Sequence, residues 1–265
     1  MKKSRRESWA NHAVGGGRKD EPAPCPKIVR GEDRLTPEQE EYTHRFAQER
    51  IAAILSTTAI DTSVAEKYLR RAYHVVGLER PRIRWFASPM ALAMATTGIS
   101  VWDTRTWDAI LLGLEDSVEE SVRLGVSSSL WDHIKINVWQ RIESIGANIG
   151  DGISNGIGEI EVNLRLNLWR QVRFWQAYEH ESWLAFYRFF SDVFEPNALI
   201  HLAMLNEMVS GYCLGRDEAW LVHKPTRLEY DAQGRLHSAT NTCIEYADGW
   251  GFYARHGVRV SDDTL

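Results

Sequence analysis

Residues 134–172 read IKINVWQRIESIGANIGDGISNGIGEIEVNLRLNLWRQV, and their periodicity decides the fold class. Apolar side chains fall at Ile134, Val138, Ile142, Ile145, Ile149, Ile153, Ile157, Ile160, Leu164, Leu168 and Val172, a mean spacing of 3.8 residues. That is a helical stripe, slightly overlong for a straight α-helix. Glycines at 146, 150, 152, 156 and 158 interrupt it. Each costs up to about 1 kcal/mol relative to alanine inside a helix, so they either break the segment or let another backbone approach closely. Asp151, Glu159, Glu161 and Arg165 argue against a membrane-inserting glycine zipper. The stripe reads as core, and it needs a partner surface elsewhere in the chain or on a second copy.

Downstream, residues 169–194 carry ten aromatics, Trp169, Phe174, Trp175, Tyr178, Trp183, Phe186, Tyr187, Phe189, Phe190 and Phe194, again at helical spacing. A large aromatic core is the natural reading. His180-Glu181 has Leu184 where a zinc-binding helix would place its second histidine, so no metal site is expected.

After Gly211 the character changes to short strands. Trp220-Leu221-Val222, Thr226 to Tyr230, Arg235 to His237, Thr242 to Tyr246 and Trp250 to Ala254 are separated by Asp231-Ala232-Gln233-Gly234, Asp248-Gly249 and His256-Gly257. These are hairpin turn signals, and they predict an antiparallel β-meander.

Upstream, Thr36-Pro37-Glu38-Gln39 combines an N-cap, a proline at N1 and a capping-box glutamine. A second helix starts at the cap Asp61 or Ser63 and ends at Gly77. Ile83, Trp85 and Ala87 alternate as in a short strand, and Ser88-Pro89 opens another helix from Met90 to Ala95. A strand running into a Ser-Pro turn at a helix start can hold an anion or a polar substrate group.

The chain has 265 residues with 31 Lys+Arg against 36 Asp+Glu, a formal net charge of −5, 44% hydrophobic and 25% charged residues. These values exclude disordered, collagenous and strongly nucleic-acid-binding classes. Tryptophan is in excess, with 11 residues. The first nineteen residues hold six cations (Lys2, Lys3, Arg5, Arg6, Arg18, Lys19), with no apolar stretch behind them. They read as a solvated tail rather than a secretory signal. With Cys25, Cys213 and Cys243 as the only cysteines, the expected location is cytoplasmic. No membrane association is expected. The predicted organisation is a disordered tail over 1–33, a helical body over 34–210 that includes the periodic segment 131–175, and a β-meander over 211–265. The fold class is α+β, a mostly helical body with a small C-terminal antiparallel β-meander.

The C-terminal run KPTRLEYDAQGRLHSATNTCIEYADGWGFYARHGVRV, residues 224–260, resembles the signature RPxRLxxDxxGRLHxxxxPAxxYxDGxxxYxxHGxxVP of a bacterial family of uncharacterised proteins, domain-of-unknown-function family 6745. LRRAYHVVGLERPRIRWFASPMA, residues 69–91, is similar to the family segment in which a Tyr and a Gly-Leu precede a strand and a Ser-Pro. Asn241-Thr242-Cys243 stands where the family has Pro-Ala. The family has no established activity, so the resemblance implies an architecture and candidate positions, without a reaction or a cofactor; the cofactor stays unknown.

The meander concentrates the polar side chains with chemical potential. His237, His256 and Asp248 are the candidate catalytic residues, since imidazole titrates near working pH and an aspartate can orient it. Ser88, Arg227, Trp250 and Tyr253 are candidate ligand-binding residues. Asp231 and Asp248 also sit where turns need aspartate for backbone reasons. No phosphate-binding loop, nucleophile elbow or kinase signature occurs. Two readings follow. The first is an interaction or regulatory module with a protein partner or a second copy on the periodic helical face. The alternative is a small enzyme with an acid/base histidine between the Ser88-Pro89 turn and the meander. Nucleic acid enters only through the basic tail.

Overall fold

The first helix of the described residues is built by its cap. In the computed structural model, which describes residues 25–29, 31–96, 110, 126–158, 174–194 and 199–261, Gln39 N donates to Thr36 Oγ1 at 3.3 Å and Thr36 N donates to Gln39 Oε1 at 2.7 Å. This reciprocal pair starts α1 (Pro37–Leu55). Gln39 also donates to the Lys27 carbonyl at 2.9 Å, and Ile28 is buried with its N–H on the Val193 carbonyl. Ile28 therefore packs against the body from within the stretch expected as tail over 1–33; residues 1–24 lie outside the described residues.

Helix α2 (Thr62–Val75) starts at Asp61, whose carboxylate accepts from Ser63 N at 2.9 Å. It ends as its glycine predicts. Gly77 takes φ +75°, and the N–H groups of Gly77 and Leu78 return to the His74 and Tyr73 carbonyls. Strand β1 (Arg82–Phe86) follows, then α3 (Pro89–Ala95) capped by Ser88.

The described part of the periodic segment forms one near-continuous helical rod: α4 (Ser128–Ile134), a π-helical turn (Lys135–Gln140) and α5 (Arg141–Gly158). The π turn absorbs part of the overlong period by widening the helix locally. The glycines leave α5 unbroken and serve close approach. A Cβ on Gly146 would lie 2.1 Å from the Tyr178 carbonyl oxygen, and one on Gly156 would lie 2.4 Å from the Phe252 ring. One side of α5 thus seats α6 (Ala177–Val193) and another seats the C-terminal sheet. Ile134, Val138, Ile142, Ile149, Ile153 and Ile157 are buried, so the described part of the stripe finds its partner within this chain. Ile160, Leu164, Leu168, Val172 and Trp169 lie outside the described residues.

The aromatic block is core. Phe186, Phe189 and Phe190 are fully buried on α6, and Trp131 stacks on Phe190 at 5.5 Å between ring centroids. Helix α7 (Ile200–Asn206) packs on α2 and α6.

Among the described residues, two four-stranded sheets complete the α+β fold. In the first, β2 (Trp175–Gln176), β3 (Gly211–Leu214), β4 (Glu218–Val222) and β1 run in the order β1-β4-β3-β2, with β1 and β4 parallel and the other pairs antiparallel. Strands β3 and β4, read from sequence as the start of the meander, instead pair with strands of the body. The second sheet is an antiparallel meander in the order β5-β6-β7-β8: β5 (Arg227–Leu228), β6 (Ile244–Glu245), β7 (Gly251–Arg255) and β8 (Val258–Val260). Arg259 anchors it to the rod by donating to the Gly156 carbonyl at 2.8 Å. No helix among the described residues is long and apolar enough to cross a membrane.

Candidate functional site

The turn between β7 and β8 places the two histidines together. His256 and Gly257 both take positive φ, +51° and +84°, the pattern of a two-residue hairpin turn that favours Asn-Gly. The His256 ring lies flat on His237, centroids 4.2 Å apart and planes 15° from parallel. The His256 N–H donates to His237 Nδ1 at 3.2 Å.

Asp231 holds the pair from the neighbouring turn. Its Oδ2 sits 2.8 Å from His256 Nδ1 and accepts from Arg235 Nε at 2.9 Å. Its Oδ1 accepts from the Gln233 and Arg235 backbone N–H groups, each at 3.0 Å. The Arg235 bond, then the His256 bond and the two backbone donors, hold the Asp231 carboxyl well below the usual carboxylate range. An aspartate on Nδ1 is the orienting element of a general base. Among the described residues, however, no serine, threonine or cysteine bonds the imidazole as a nucleophile.

Ser88 and Asp248 form a separate pair. Ser88 is fully buried; its hydroxyl donates to Asp248 Oδ2 at 2.6 Å and accepts from Ala91 N at 3.0 Å. Asp248 Oδ1 accepts from Trp250 N at 3.1 Å. These bonds latch the start of α3 to the β6–β7 turn. Asp248 precedes β7 and His256 follows it, so the five-residue strand separates them by roughly 16 Å at about 3.3 Å per residue. The structure thus brings His237 to His256 and Ser88 to Asp248, and keeps the two pairs at opposite ends of one strand. Arg227 lies across from Glu245 on the meander, 3.7 Å from its carboxylate and 3.9 Å from that of Glu229. Trp250 packs between Tyr246 and Phe252, and Tyr253 is half-buried on β7 opposite Val260. No group of three His, Cys, Asp or Glu among the described residues is arranged to hold a metal ion.

Two clusters escaped the sequence reading. One is buried. Glu207 Oε1 accepts from both Arg50 and Arg188, while the neighbouring Glu181 accepts from Asn206 Nδ2 at 2.7 Å. Burial, with Glu207 adding repulsion, pushes the Glu181 carboxyl up to about 8. Lys224, also buried, donates to the Ala53 and Ile54 carbonyls, and burial pulls its ammonium down to about 8.

The other is a surface groove of about 560 Å³ beside the end of α2, lined by Lys67, Arg70, Arg71, His74, Gly77, Leu78, Glu79 and Arg80. Lys67, Arg70, Arg71 and His74 follow i, i+3, i+4 and i+7 spacing and share one helical face. Glu66 neutralises Arg70 at 2.6 Å. Among the described residues, no carboxylate forms an ion pair with Lys67, Arg71, His74 or Arg80. The sequence signal lies in that spacing, on the side of α2 opposite the apolar face of Leu69, Ala72 and Tyr73.

Searches against protein-family models, curated proteins and solved structures found no match.

Proposed function

We propose that the protein is an interaction module of the cytoplasm that docks an anionic partner in the groove beside α2. The observation that carries this reading is the set of cations there, Lys67, Arg71 and Arg80, beside His74, with no carboxylate ion-paired to them among the described residues. Like charges at i, i+3 and i+4 repel by a few tenths of a kcal/mol per pair. A bound anion would relieve that repulsion. Part of the charge has a structural use, because cations in the last turn of a helix complement its dipole. Lys67, nearly two turns before the end of α2, and Arg80, beyond it, are not explained that way. The free thiols of Cys25, Cys213 and Cys243 fit a reducing compartment.

The alternative enzyme reading is favoured by one contact, Asp231 to His256, and lacks a nucleophile beside it. The periodic apolar face is occupied within the chain as far as Gly158, so docking of a protein partner or a second copy is assigned here to the polar surface.

The test is titration of the full chain with fluorescein-labelled anionic polymers, both a polyglutamate peptide and an oligonucleotide, at low salt. Binding of either that is lost in Lys67→Glu/Arg71→Glu supports the reading. Absence of binding to both, or equal binding by the variant, sinks it.

A further inference from the structure

We infer that the partner of this groove is a single-stranded nucleic acid, with its phosphates along α2 and a base against the Trp85–His223 pair. The inference rests on the anion-docking reading and names its partner class.

Three observations carry it. First, the cationic face has polymer geometry. From Lys67 to His74 the helix advances about 10.5 Å at 1.5 Å per residue. Arg80 lines the same groove beyond the Gly77 turn. A row of cations with this reach suits a chain carrying one charge per repeat, and the arginines offer planar forks that match phosphate oxygens.

Second, an aromatic pair outside the groove lining is tied to the helix that carries the row. Trp85 stacks on His223 with centroids 4.6 Å apart and planes 26° from parallel. Both residues are half-buried. Flat side chains beside a basic track are how proteins hold unpaired bases, because every base has a face to stack. An acidic peptide has no use for such a step.

Third, the row and the step are joined by one carboxylate. Glu66 Oε2 accepts from Arg70 Nη2 at 2.6 Å, and Glu66 Oε1 accepts from Trp85 Nε1 at 3.2 Å. The indole is thereby fixed relative to the α2 face. The neighbouring cations Arg82 and Arg84 are committed to Glu218 at 3.1 and 3.6 Å. The net charge of −5 is no obstacle, since the groove lining gathers Lys67, Arg70, Arg71 and Arg80 against the single carboxylate of Glu79. The fixed aromatic step also favours a single strand over a duplex, whose bases are already stacked.

The experiment measures fluorescence anisotropy of the full chain with four probes: a labelled 15-mer oligouridine, a 15-mer oligothymidine, a 15-base-pair duplex and a 15-residue polyglutamate. Salt is varied from 50 to 200 mM. A single strand should bind tightest, with a log–log salt slope near −3 if about four phosphates are contacted at about 0.7 per contact. Lys67→Glu/Arg71→Glu, both changes on the helix surface, should weaken it at least tenfold and bring the slope to about −1.5. Trp85→Phe should weaken binding several-fold and leave the slope unchanged, with circular dichroism confirming that the variant folds. A full-length variant with the six tail cations changed to serine should bind as the parent does.

Polyglutamate binding tighter than either oligonucleotide, through the same two cations, would overturn the nucleic-acid assignment while leaving the anionic groove standing. A duplex binding as well as the single strand would overturn the base-stacking geometry. Binding that survives the groove variant and vanishes with the tail cations, or absence of binding to every probe, would overturn both.

Discussion

Lys224, from the segment joining the two sheets, donates its ammonium to the carbonyl of Ile54 at 3.1 Å and to that of Ala53. Those carbonyls belong to the last turn of α1, which has no basic residue of its own there. A side chain 170 positions away in the chain thus finishes the helix by donating to two of its last-turn carbonyls, of which that of Ala53 also accepts from the Ser56 N–H at 3.4 Å. Lys224→Met keeps the stem and removes the donors, and should cost about 1–3 kcal/mol by urea denaturation at pH 7. Because the folded ammonium titrates near 8, against an ordinary 10.5, the unfolded chain holds the extra proton between those values. The contribution of Lys224 to stability should therefore rise with pH from about 8 to 10.5. A Met variant whose stability tracks the parent's at every pH would remove Lys224 from this role.

Glu181 has the opposite dependence. Its carboxyl, displaced by burial to about 8, keeps its proton in the folded state while the unfolded chain has already released it above about 4.5. Stability should therefore fall as pH rises from about 5 to 8, by on the order of 1 kcal/mol per pH unit. Glu181→Gln preserves the shape and an acceptor for Asn206 and should flatten that slope. Denaturation midpoints at pH 5, 6, 7 and 8 decide it. Parallel curves for parent and variant would place the titrating group elsewhere.

The glycines of α5 separate by what they face. At Gly146 a methyl group would meet the Tyr178 carbonyl at 2.1 Å, whereas at Gly152 it would meet the Leu236 side chain, with Cδ1 at 2.6 Å. A leucine can rotate away; the backbone of α6 cannot without shifting its helix. Alanine also gains about 1 kcal/mol of helix propensity at either position. Gly146→Ala should be destabilising by at least about 2 kcal/mol, and Gly152→Ala by clearly less. Thermal denaturation of the two variants side by side gives the comparison, and equal losses would mean that α5 and α6 are not packed this closely.

Those glycines also mark how far the sequence could be read. Thr36, Asp61, Gly77 and Ser88 predict their helix ends because a cap depends on residues within three or four positions. The stripe through Ile134 and Ile149 shows one buried face for the same local reason. It leaves open whether Gly146 breaks a helix or admits a neighbour, because Tyr178 lies 32 positions on. The parallel pairing of Arg82 to Phe86 with Glu218 to Val222 is still more remote, so β4 looked like part of the meander. Of the candidate site, turn chemistry identified Asp231, Asp248 and His256. It could not show that β7 would hold Asp248 and His256 apart, or that Ser88 would be spent on a latch. The basic face of α2 was legible in the spacing of Lys67, Arg70, Arg71 and His74. That Lys67, Arg71 and His74 have no ion-pairing carboxylate among the described residues was not, because counter-charges come from any part of the chain.

The His256 turn tests whether the stacked imidazoles are structural. A residue other than glycine at φ +51° is strained unless it is Asn or Asp, which tolerate that region best. Here the strain is held by the stack on His237 and the bond to Asp231. His256→Asn suits the turn and should leave stability within about 1 kcal/mol of the parent, whereas His256→Val, β-branched, should lose more than about 1 kcal/mol. Asp231 adds a pH signature. Its folded carboxyl is held low by Arg235 and His256, so its contribution is present above the ordinary carboxylate range. That contribution is lost as pH falls below it. Denaturation of parent, His256→Asn and His256→Val at pH 7 and at pH 3 measures both effects. If His256→Asn were as damaging as His256→Val, the imidazole would be doing more than closing a hairpin, and the Asp231–His256 pair would return as the place to look for a reaction.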